Sequence, residues 1–434
     1  MLLFYTSSVT SRLRYIVHLL LEEMAGLEVN FTQSTGEYLS FEGPKIAYTR
    51  EDPGNGCWIE PAGLLFEQKI FAHDVQVRYD HEVPFLFESS QPGTGFPFDL
   101  FAASFYLVSR YEEYNCTKHD PYGRYLASSS LAFRHGFLEK PVVNIWLKRF
   151  LESLRKRYPS LMTHQEPYHY IPTVDVDHAY AFRNRTVVRT FGGIGRSLSH
   201  GRFGELMERV RVIAGFSADP YDTFSYIRSV HQKHHLPTVT FILFADYGGN
   251  DNNIQVGSKG MADLLRSLAQ WSDIGVHPSL SSSKHTGRLK QEVDGLSKAA
   301  GKPITQSRQH FLKFILPDTF LQLARMGIRD DFSMGYASHP GFRAGIAHPF
   351  PFFDLRANEV TPLRIHPVPV MDVTFRDYLR LNPEESFSKI KQLIWEVRSY
   401  NGEFISLWHN ESLSDTGRWK GWRALYEEVM EEAK

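Results

Sequence analysis

Cysteine is scarce in this chain, and neither of its two cysteines lies in a metal-binding or redox motif. Cys57 and Cys116 belong to no C-x-x-C pair and to no Cys/His-rich segment. Two cysteines cannot build a disulfide framework, so the fold must depend on its hydrophobic core. The 434 residues are 42% hydrophobic, which is sufficient for two or three domains with substantial cores.

The chain also has no excess of positive or negative charge. The chain has 48 Lys and Arg residues against 49 Asp and Glu residues, for a formal net charge of -1. Such a balance creates no overall field that would attract nucleic acid or an anionic membrane, so any charge preference must be local. We therefore expect no nucleic-acid partner.

Long apolar runs are missing as well. Residues 1–26 have no basic segment ahead of their apolar residues, and Arg12, Arg14 and Glu22 interrupt the longest apolar stretch. This pattern predicts neither a signal peptide nor a membrane span, and it favours a cytoplasmic protein. The oligomeric state is not indicated by the sequence.

The N-terminal part predicts a small α/β domain. A strand pattern "LLFYT", an amphipathic helix pattern and a second strand pattern "LEVNFT" open the chain as a β-α-β unit. Residues 160–170 have the composition of a connection between domains. We accordingly divide the chain into an N-terminal α/β domain of unknown role, residues 1–165, and a second domain, residues 166–434.

The second domain alternates apolar runs with helical patterns. This rhythm predicts a parallel β/α barrel, with an open doubly wound sheet as the alternative. The seven runs lie at residues 168–177, 236–244, 273–277, 305–311, 326–331, 363–371 and 402–409.

Polar residues stand where several of these runs end. In a β/α barrel the active site lies at the C-terminal ends of the strands, so these residues are predicted to meet. They are Asp175, Asp177 and His178 in the first run, His277 in the third, Arg308 and His310 in the fourth, Asp330 and Asp331 in the fifth, and Trp408 to Glu411 in the seventh.

The two aspartates of the first run are two residues apart, so their side chains share one face of a strand. Neighbouring carboxylates raise each other's proton affinity unless a cation lies between them. A metal ion on Asp177 and the guanidinium of Arg308 beside Asp175 would meet that need. Ordinary structural roles stay open: the aspartates could cap a helix, His277 could be a buried histidine, and Asp330-Asp331 could form a turn.

Arginine is concentrated in one stretch. Residues 183–211 contain seven arginines and two glutamates. We interpret this stretch as an exposed helical insertion, with a lid or groove wall for an anionic substrate as the alternative.

Five motifs follow one another in a characteristic order: "TVDVDHA", "GVHPS", "SRQHF", "DDFSMGY" and "SLWHN". This order resembles the polysaccharide deacetylases with a NodB homology domain, carbohydrate esterase family 4, and most of all the branch whose first motif is D-x-D. The resemblance covers roughly residues 168 to 434 and implies a distorted (β/α)7 barrel. A similar layout with an N-terminal α/β module resembles a group of uncharacterised bacterial proteins.

The resemblance also implies roles for five residues. Asp175 matches the general base, Arg308 the arginine that orients the base, and His409 the general acid. Asp177 and His277 match two ligands of a divalent metal. We further assign two residues to substrate binding, Trp408 and Asp331.

The chain departs from the family pattern at one metal ligand. The family has a second histidine four residues after the first, whereas Ser281 stands at that position here. His310 is our first choice for the third ligand, because it shares a strand face with Arg308. His178 and His285 are weaker candidates.

The predicted function is the metal-dependent removal of an N-acetyl group from a sugar or glycan-type substrate. Amide hydrolysis of this kind needs a metal-activated water, a base and an acid. We expect one divalent ion, with zinc favoured over cobalt, nickel, manganese or iron. The alternatives are a catalytically degenerate glycan-binding protein on the same fold and, because D-x-D also occurs there, a glycosyltransferase.

Overall fold

The computed structural model describes residues 1–434, apart from the side chains of residues 187, 188, 196, 284 and 286. It has a mixed α/β fold, as predicted. The strands are β1 (Leu2–Thr6), β2 (Val29–Thr32), β3 (Lys45–Tyr48), β4 (Cys57–Ile59), β5 (Val77–Asp80), β6 (Val83–Leu86), β7 (His169–Val176), β8 (Val239–Ile242), β9 (Asp273–Val276), β10 (Gln306–Ser307), β11 (Asp330–Met334), β12 (Phe350–Asp354), β13 (Glu359–Pro367), β14 (Val370–Met371) and β15 (Glu403–His409).

Helices connect most of the parallel strands and cover the sheets. They are α1 (Ser11–Val17), α2 (Thr35–Ser40), α3 (Leu100–Val108), α4 (Tyr111–Tyr114), α5 (Leu131–Arg134), α6 (Val142–Arg157), α7 (Val187–Ser199), α8 (Phe203–Ile213), α9 (Phe224–His234), α10 (Lys259–Leu268), α11 (Thr286–Ala300), α12 (Asp318–Arg325), α13 (Pro383–Arg398) and α14 (Trp422–Ala433).

The first 59 residues build a four-stranded parallel sheet in the order β2-β1-β3-β4. Helix α3 is buried along its whole length against this part of the chain. The hydrophobic core continues past residue 165, because the ring of Phe353 lies 5.0 Å from that of Tyr15 and 5.2 Å from that of Phe105. The division at residue 165 therefore stays a prediction.

The second sheet has nine strands in the order β12-β13-β11-β10-β9-β8-β7-β15-β14. All neighbours are parallel except the pair β12 and β13, which is antiparallel. In the described chain, eight strands of this sheet therefore run parallel, where the sequence predicted seven. The difference arises because the predicted run 363–371 is broken into β13 and β14.

The break between β13 and β14 brings the two ends of the sheet together. β13 ends at Pro367 and β14 begins at Val370, yet the two strands lie near opposite ends of the strand order. A chain that crosses from one end to the other in two residues requires the sheet to curl into a barrel-like shape.

The predicted fifth run, 326–331, was placed too early. The strand β11 begins at Asp330, since Gly327 with a φ of +81° turns the chain just before it. Asp330 and Asp331 therefore start the strand, whereas the prediction had them at its C-terminal end.

His366, near the end of β13, forms a buried ion cluster with residues that begin β11 and β15. Its Nε2 lies 3.1 Å from Asp330 Oδ1 on β11, and its Nδ1 lies 2.7 Å from Glu403 Oε1 on β15. Burial lowers the pKa of His366, but the hydrogen bonds and charges of these two carboxylates outweigh it and raise the pKa to about 9. The contact between His366 and Glu403 joins β13 to β15, two strands that lie far apart in the order of the sheet.

This cluster predicts a pH dependence of stability. The folded-state pKa of His366, about 9, exceeds the ordinary value of 6.5, so the stabilisation is complete below pH 6.5 and is lost as the pH rises through 9. We expect the variant His366→Gln to be less stable than the wild type by about 3 kcal/mol at pH 6 and to approach it near pH 10. Thermal unfolding across this pH range measures the difference. His81→Gln, at a highly exposed histidine, serves as the control; a pH-independent gap for His366→Gln would contradict the prediction.

Among the described residues, no helix is both long enough and apolar enough to cross a membrane.

Candidate metal and active site

The strands β7 and β15 place the first three site residues. β7 is buried along most of its length and ends at Val176. Asp175 is therefore part of the strand, and Asp177 is the first residue after it. His409 is the last residue of β15 and pairs in register with Asp175. Asp175 is buried, whereas Asp177 keeps part of its surface exposed.

Arg308 holds Asp175 in place. Nη1 of Arg308 donates hydrogen bonds to Asp175 Oδ1 at 2.9 Å and to Thr173 Oγ1 at 2.7 Å, and Nε donates to the carbonyl oxygen of Phe332 at 2.9 Å. The guanidinium is fully buried and lies over the ring of Phe241. A buried ion pair with this many hydrogen bonds has little freedom to rearrange, so the carboxylate keeps one orientation.

His277 turns its Nε2 towards Asp177. Its Nδ1 donates a hydrogen bond to the carbonyl oxygen of Arg308 at 2.6 Å. A carbonyl oxygen only accepts, so in the neutral ring Nε2 is the atom without a proton. Nε2 lies 3.2 Å from Asp177 Oδ1.

The ring of His310 is oriented by a carboxylate, that of Asp251. Its Nδ1 lies 2.9 Å from Asp251 Oδ1, and its Nε2 lies 3.4 Å from Asp177 Oδ2. The Asp251 carboxylate also accepts the backbone N–H of Leu280 at 3.0 Å, which fixes its orientation. A histidine that donates one ring N–H to a carboxylate is the usual outer arrangement of a metal-binding histidine.

Asp177, His277 and His310 therefore form a group that could hold a metal ion. Their ligand atoms all lie within 4.8 Å of one another. Oδ1 of Asp177 is buried and has no hydrogen-bond partner among the described residues. Acceptor atoms that face one another without a donor are unfavourable unless a cation or a proton lies between them, so the residues fit a divalent cation.

The charged groups of this site shift one another's pKa values. Burial raises the pKa of Asp177, but the neighbouring His310 and His277 outweigh it and hold the pKa well below its usual range. Burial lowers the pKa of His310, yet Asp177 and Asp251 raise it to about 9. Both shifts include the same contact, because the Asp177 carboxylate and the His310 imidazole each stabilise the charged form of the other.

His409 is paired with an aspartate from the end of β14. Its Nδ1 lies 2.8 Å from Asp372 Oδ1, and its backbone N–H donates to Asp372 Oδ2 at 2.7 Å. Nε2 of His409 faces the site at 3.7 Å from Asp177 Oδ2. Burial lowers the pKa of His409, but Asp372, Asp177 and Asp175 outweigh it and raise the pKa to about 10.

The structure thus brings together the six residues predicted as catalytic or metal-ligating. In the described part of the chain, the metal group includes neither His178, whose Nδ1 lies 3.6 Å from Glu411 Oε2, nor the exposed His285. Ser281 contacts Ser279 Oγ at 2.9 Å through its own hydroxyl.

The two residues predicted to bind substrate lie in the interior. Trp408 is fully buried, with its ring 5.0 Å from that of Tyr426, because alternate residues of β15 face the surrounding helices. Asp331 is also fully buried and accepts hydrogen bonds from Ser307 and Ser333. This burial leaves neither side chain any surface for a substrate, so both predictions are wrong.

Sequence reasoning missed Asp251 and Asp372. Asp372 follows β14 and could have been found by the same rule of polar residues at strand ends. Asp251 lies in a loop after β8 with several other polar residues, so no spacing distinguishes it.

A cleft of about 950 Å³ reaches the outer side of the site at Asp251, the partner of His310, while none of the three candidate ligands is among its described lining residues. Asp251 and Ser281 line it from the barrel, and Tyr122 lines it from the N-terminal part of the chain. The ring of Tyr122 stacks on Phe311 at 5.0 Å, and Phe311 packs against the ring of His310 at 4.2 Å. The N-terminal part therefore contributes an exposed aromatic side chain close to the site.

The contact between Asp251 and His310 predicts an effect of Asp251 on metal binding. We expect Asp251→Asn to weaken the affinity for a divalent ion by about 10-fold to 100-fold, because His310 loses the carboxylate that orients its ring and increases its basicity. Competition with a chelating dye measures the dissociation constant. Asp246→Asn, at an exposed aspartate of the same cleft, should leave the constant unchanged; equal constants for wild type and Asp251→Asn would refute the assignment.

Comparison with known proteins gives one family match and several structural similarities. No curated protein matches the sequence. Solved structures similar to this one include a protein described as a polysaccharide deacetylase from Mycobacterium smegmatis, with 14% identity, a TM-score of 0.40, and coverage of 62% of this chain and 84% of that one. An allantoinase, Puue, has 10% identity and a TM-score of 0.39, with coverage of 61% and 83%. A protein described as a polysaccharide deacetylase from Pseudomonas aeruginosa PAO1 has 10% identity and a TM-score of 0.37, with coverage of 61% and 83%. Residues 2–159 match a family of unknown function, DUF7033.

Proposed function

We propose that this protein is a metal-dependent hydrolase that removes an N-acetyl group from a sugar or glycan-type substrate. The observation that carries the proposal is the convergence of three ligand atoms, from Asp177, His277 and His310, within 4.8 Å of one another. Beside them stand a buried carboxylate, Asp175, and a protonated imidazole, His409. We place the chain in the D-x-D branch of the deacetylases on its Asp175-Val176-Asp177 sequence.

The ligand set suits zinc or a similar first-row divalent ion. One carboxylate and two imidazoles bind Zn²⁺ and also Co²⁺, Ni²⁺, Mn²⁺ and Fe²⁺, whereas Mg²⁺ and Ca²⁺ prefer all-oxygen sites. When bound, such an ion would supply a Lewis acid that polarises the amide carbonyl and lowers the pKa of a water molecule. His277 and His310 are held for this role by the Arg308 carbonyl and by Asp251.

Asp175 is the proposed general base. Its Oδ1 is occupied by the hydrogen bond from Arg308, while Oδ2 lies on the side of His277, at 3.7 Å from Nε2. This second oxygen is positioned to take a proton from the attacking water. The fixed ion pair with Arg308 keeps the carboxylate aimed at the metal group throughout the reaction.

His409 is the proposed general acid. The pKa of its imidazolium, raised to about 10 by carboxylates that outweigh the effect of burial, keeps the ring protonated at neutral pH. Because Asp372 binds Nδ1, the proton on Nε2 is the one directed into the site. This proton would pass to the departing sugar nitrogen as the amide bond breaks.

The cleft offers a surface for a saccharide. Tyr122 is 40% exposed at the edge of the cleft, where Phe311 stacks on its ring at 5.0 Å and the Arg124 guanidinium lies 5.1 Å from the ring centroid. A tyrosine held in this way offers the apolar edge of its ring and its hydroxyl group to a saccharide. We propose that Tyr122 gives the N-terminal domain a part in binding the substrate.

Acetate release tests this function. We expect protein stripped of metal by a chelator to be inactive, and zinc at about one ion per chain to restore acetate release from a panel of N-acetylated oligosaccharides. Cobalt, nickel, manganese and iron are tested in parallel. Saccharide binding without acetate release in the presence of any of the five metals would overturn the assignment as a hydrolase. It would favour the glycan-binding alternative, which is motivated by Ser281 at the usual position of a ligand.

A further inference from the structure

The helical hairpin of α7 and α8 exposes an unusual amount of apolar surface. It follows β7 and covers residues 187–213, and Phe216 just beyond it is 83% exposed. Large hydrophobic side chains scattered singly over a surface are ordinary, but a cluster marks an interaction site. The exposed members of this cluster are Phe191, Leu198, Phe203, Met207, Val210, Ile213 and Phe216.

The exposed apolar residues form stripes along both helices. Phe203, Met207 and Val210 on α8 have the spacing i, i+4, i+7, and Phe191 and Leu198 on α7 are seven residues apart. This spacing places each set on one face of its helix. In a soluble protein such a face normally packs on the core, whereas here it is turned to solvent.

Positive charge accompanies the apolar stripes. Residues 183–216 contain seven arginines and two glutamates, a net charge of +5 in a chain whose total is -1. The exposed Arg202 and Arg211 flank the stripe of α8, while Glu205 and Glu208 occupy other positions around the helix. Arginine beside an apolar stripe is typical of helices that lie in the surface of an anionic membrane; here Arg202 also lies 3.6 Å from Glu205, and Arg211 follows the stripe.

A groove within the hairpin combines the same two properties. Its volume is about 690 Å³, and its lining includes the arginines Arg183 and Arg185 together with the apolar side chains of Phe182, Ile213 and Phe216. An anionic headgroup with attached acyl chains matches this combination of charge and apolar surface.

The base of the hairpin is fixed next to the candidate active site. Asp219, which is buried, accepts backbone hydrogen bonds from Ala181, Phe182 and Arg183 and so joins the two ends of the insertion. Arg189 donates to the carbonyl oxygen of Asn253 at 2.8 Å, two residues after Asp251. The hairpin thus projects from the same end of the barrel as the metal group.

We propose that the α7–α8 hairpin docks this protein on an anionic lipid bilayer, with the apolar stripes inserted at the headgroup level and the arginines bound to lipid phosphates. Complementary charge selects this occupant, because a second copy of the chain would bring the same arginine-rich surface to a symmetric contact. The docking does not depend on the proposed hydrolase activity.

Vesicle co-sedimentation of the full chain, in metal-free buffer without saccharide, tests the proposal. The wild type should bind phosphatidylcholine vesicles that contain about one-third phosphatidylglycerol, should bind pure phosphatidylcholine at least about tenfold less, and should be released by high salt. Two double variants, Phe203→Asp with Met207→Asp and Arg202→Glu with Arg211→Glu, should each lower the bound fraction about tenfold.

Trp395→Asp is the matched control, because it removes an equally exposed apolar side chain, 62% exposed, from the distant helix α13. It should bind vesicles as the wild type does, and circular dichroism should show each variant folded. Absence of wild-type binding, or binding that both double variants retain, overturns the proposal. A dimer in solution that Phe203→Asp with Met207→Asp dissociates, without vesicle binding, would assign the surface to a second copy and also overturn it.

Discussion

Replacing Asp177 with alanine is expected to leave the protein unable to retain a divalent metal ion. Asp177 supplies the one carboxylate of the ligand group, and its two oxygens face Nε2 of His277 at 3.2 Å and Nε2 of His310 at 3.4 Å. Without it, two imidazoles remain, which are too few ligands to hold zinc against dialysis. His277→Ala should have the same effect.

Elemental analysis after dialysis measures this result. The wild type should hold about one ion per chain and both variants close to none. Ser281→Ala is the informative control, because Ser281 occupies the usual ligand position but its hydroxyl contacts Ser279. We expect Ser281→Ala to keep its ion. Full occupancy in both Asp177→Ala and His277→Ala would eliminate the assigned metal site.

Asp175→Asn is expected to reduce kcat for acetate release by at least about a hundredfold while the metal stays bound. Asparagine has nearly the same shape and still offers an oxygen to Arg308, but it cannot accept a proton from water at neutral pH. Because Asp175 is not among the three ligand residues, metal content should not change.

Steady-state kinetics together with metal analysis check this second result. The buried Arg308 loses its charged partner in Asp175→Asn but keeps Thr173 and the carbonyl oxygen of Phe332, so thermal unfolding must show the variant folded under the assay conditions. Asp246→Asn, at an exposed aspartate of the cleft, should retain wild-type kcat. An unchanged kcat in folded Asp175→Asn would exclude Asp175 as the base.

The candidate ligands and catalytic groups were accessible to sequence reasoning because two local rules apply to them. Side chains alternate along a strand, so Asp175 and Asp177 had to face one way, and active-site residues of β/α folds follow the strands. These rules hold for each segment separately and need no knowledge of distant contacts. They also placed His277, Arg308 and His409 at the same end of the sheet.

The same rules failed where burial and local turns decide the outcome. Asp331 begins β11 instead of ending it, because the turn at Gly327 sets the start of the strand. Trp408 adjoins His409 in sequence but faces the outer helices, where it packs on Tyr426. A one-residue step along a strand reverses the direction of a side chain, so adjacency to a site residue carries no information about access to the site.

By itself, the sequence determined the α/β class and the site residues at the ends of β7, β9, β10 and β15. Only the tertiary structure decided which carboxylates support the histidines, since Asp251 lies 59 positions from His310 and Asp372 lies 37 positions from His409. It also decided that His310 joins Asp177 and His277, and that β13 and β14 lie near opposite ends of a curled sheet. The physical reason is that these contacts depend on how the sheet curls, and curling is a property of all its strands together, which no single segment encodes.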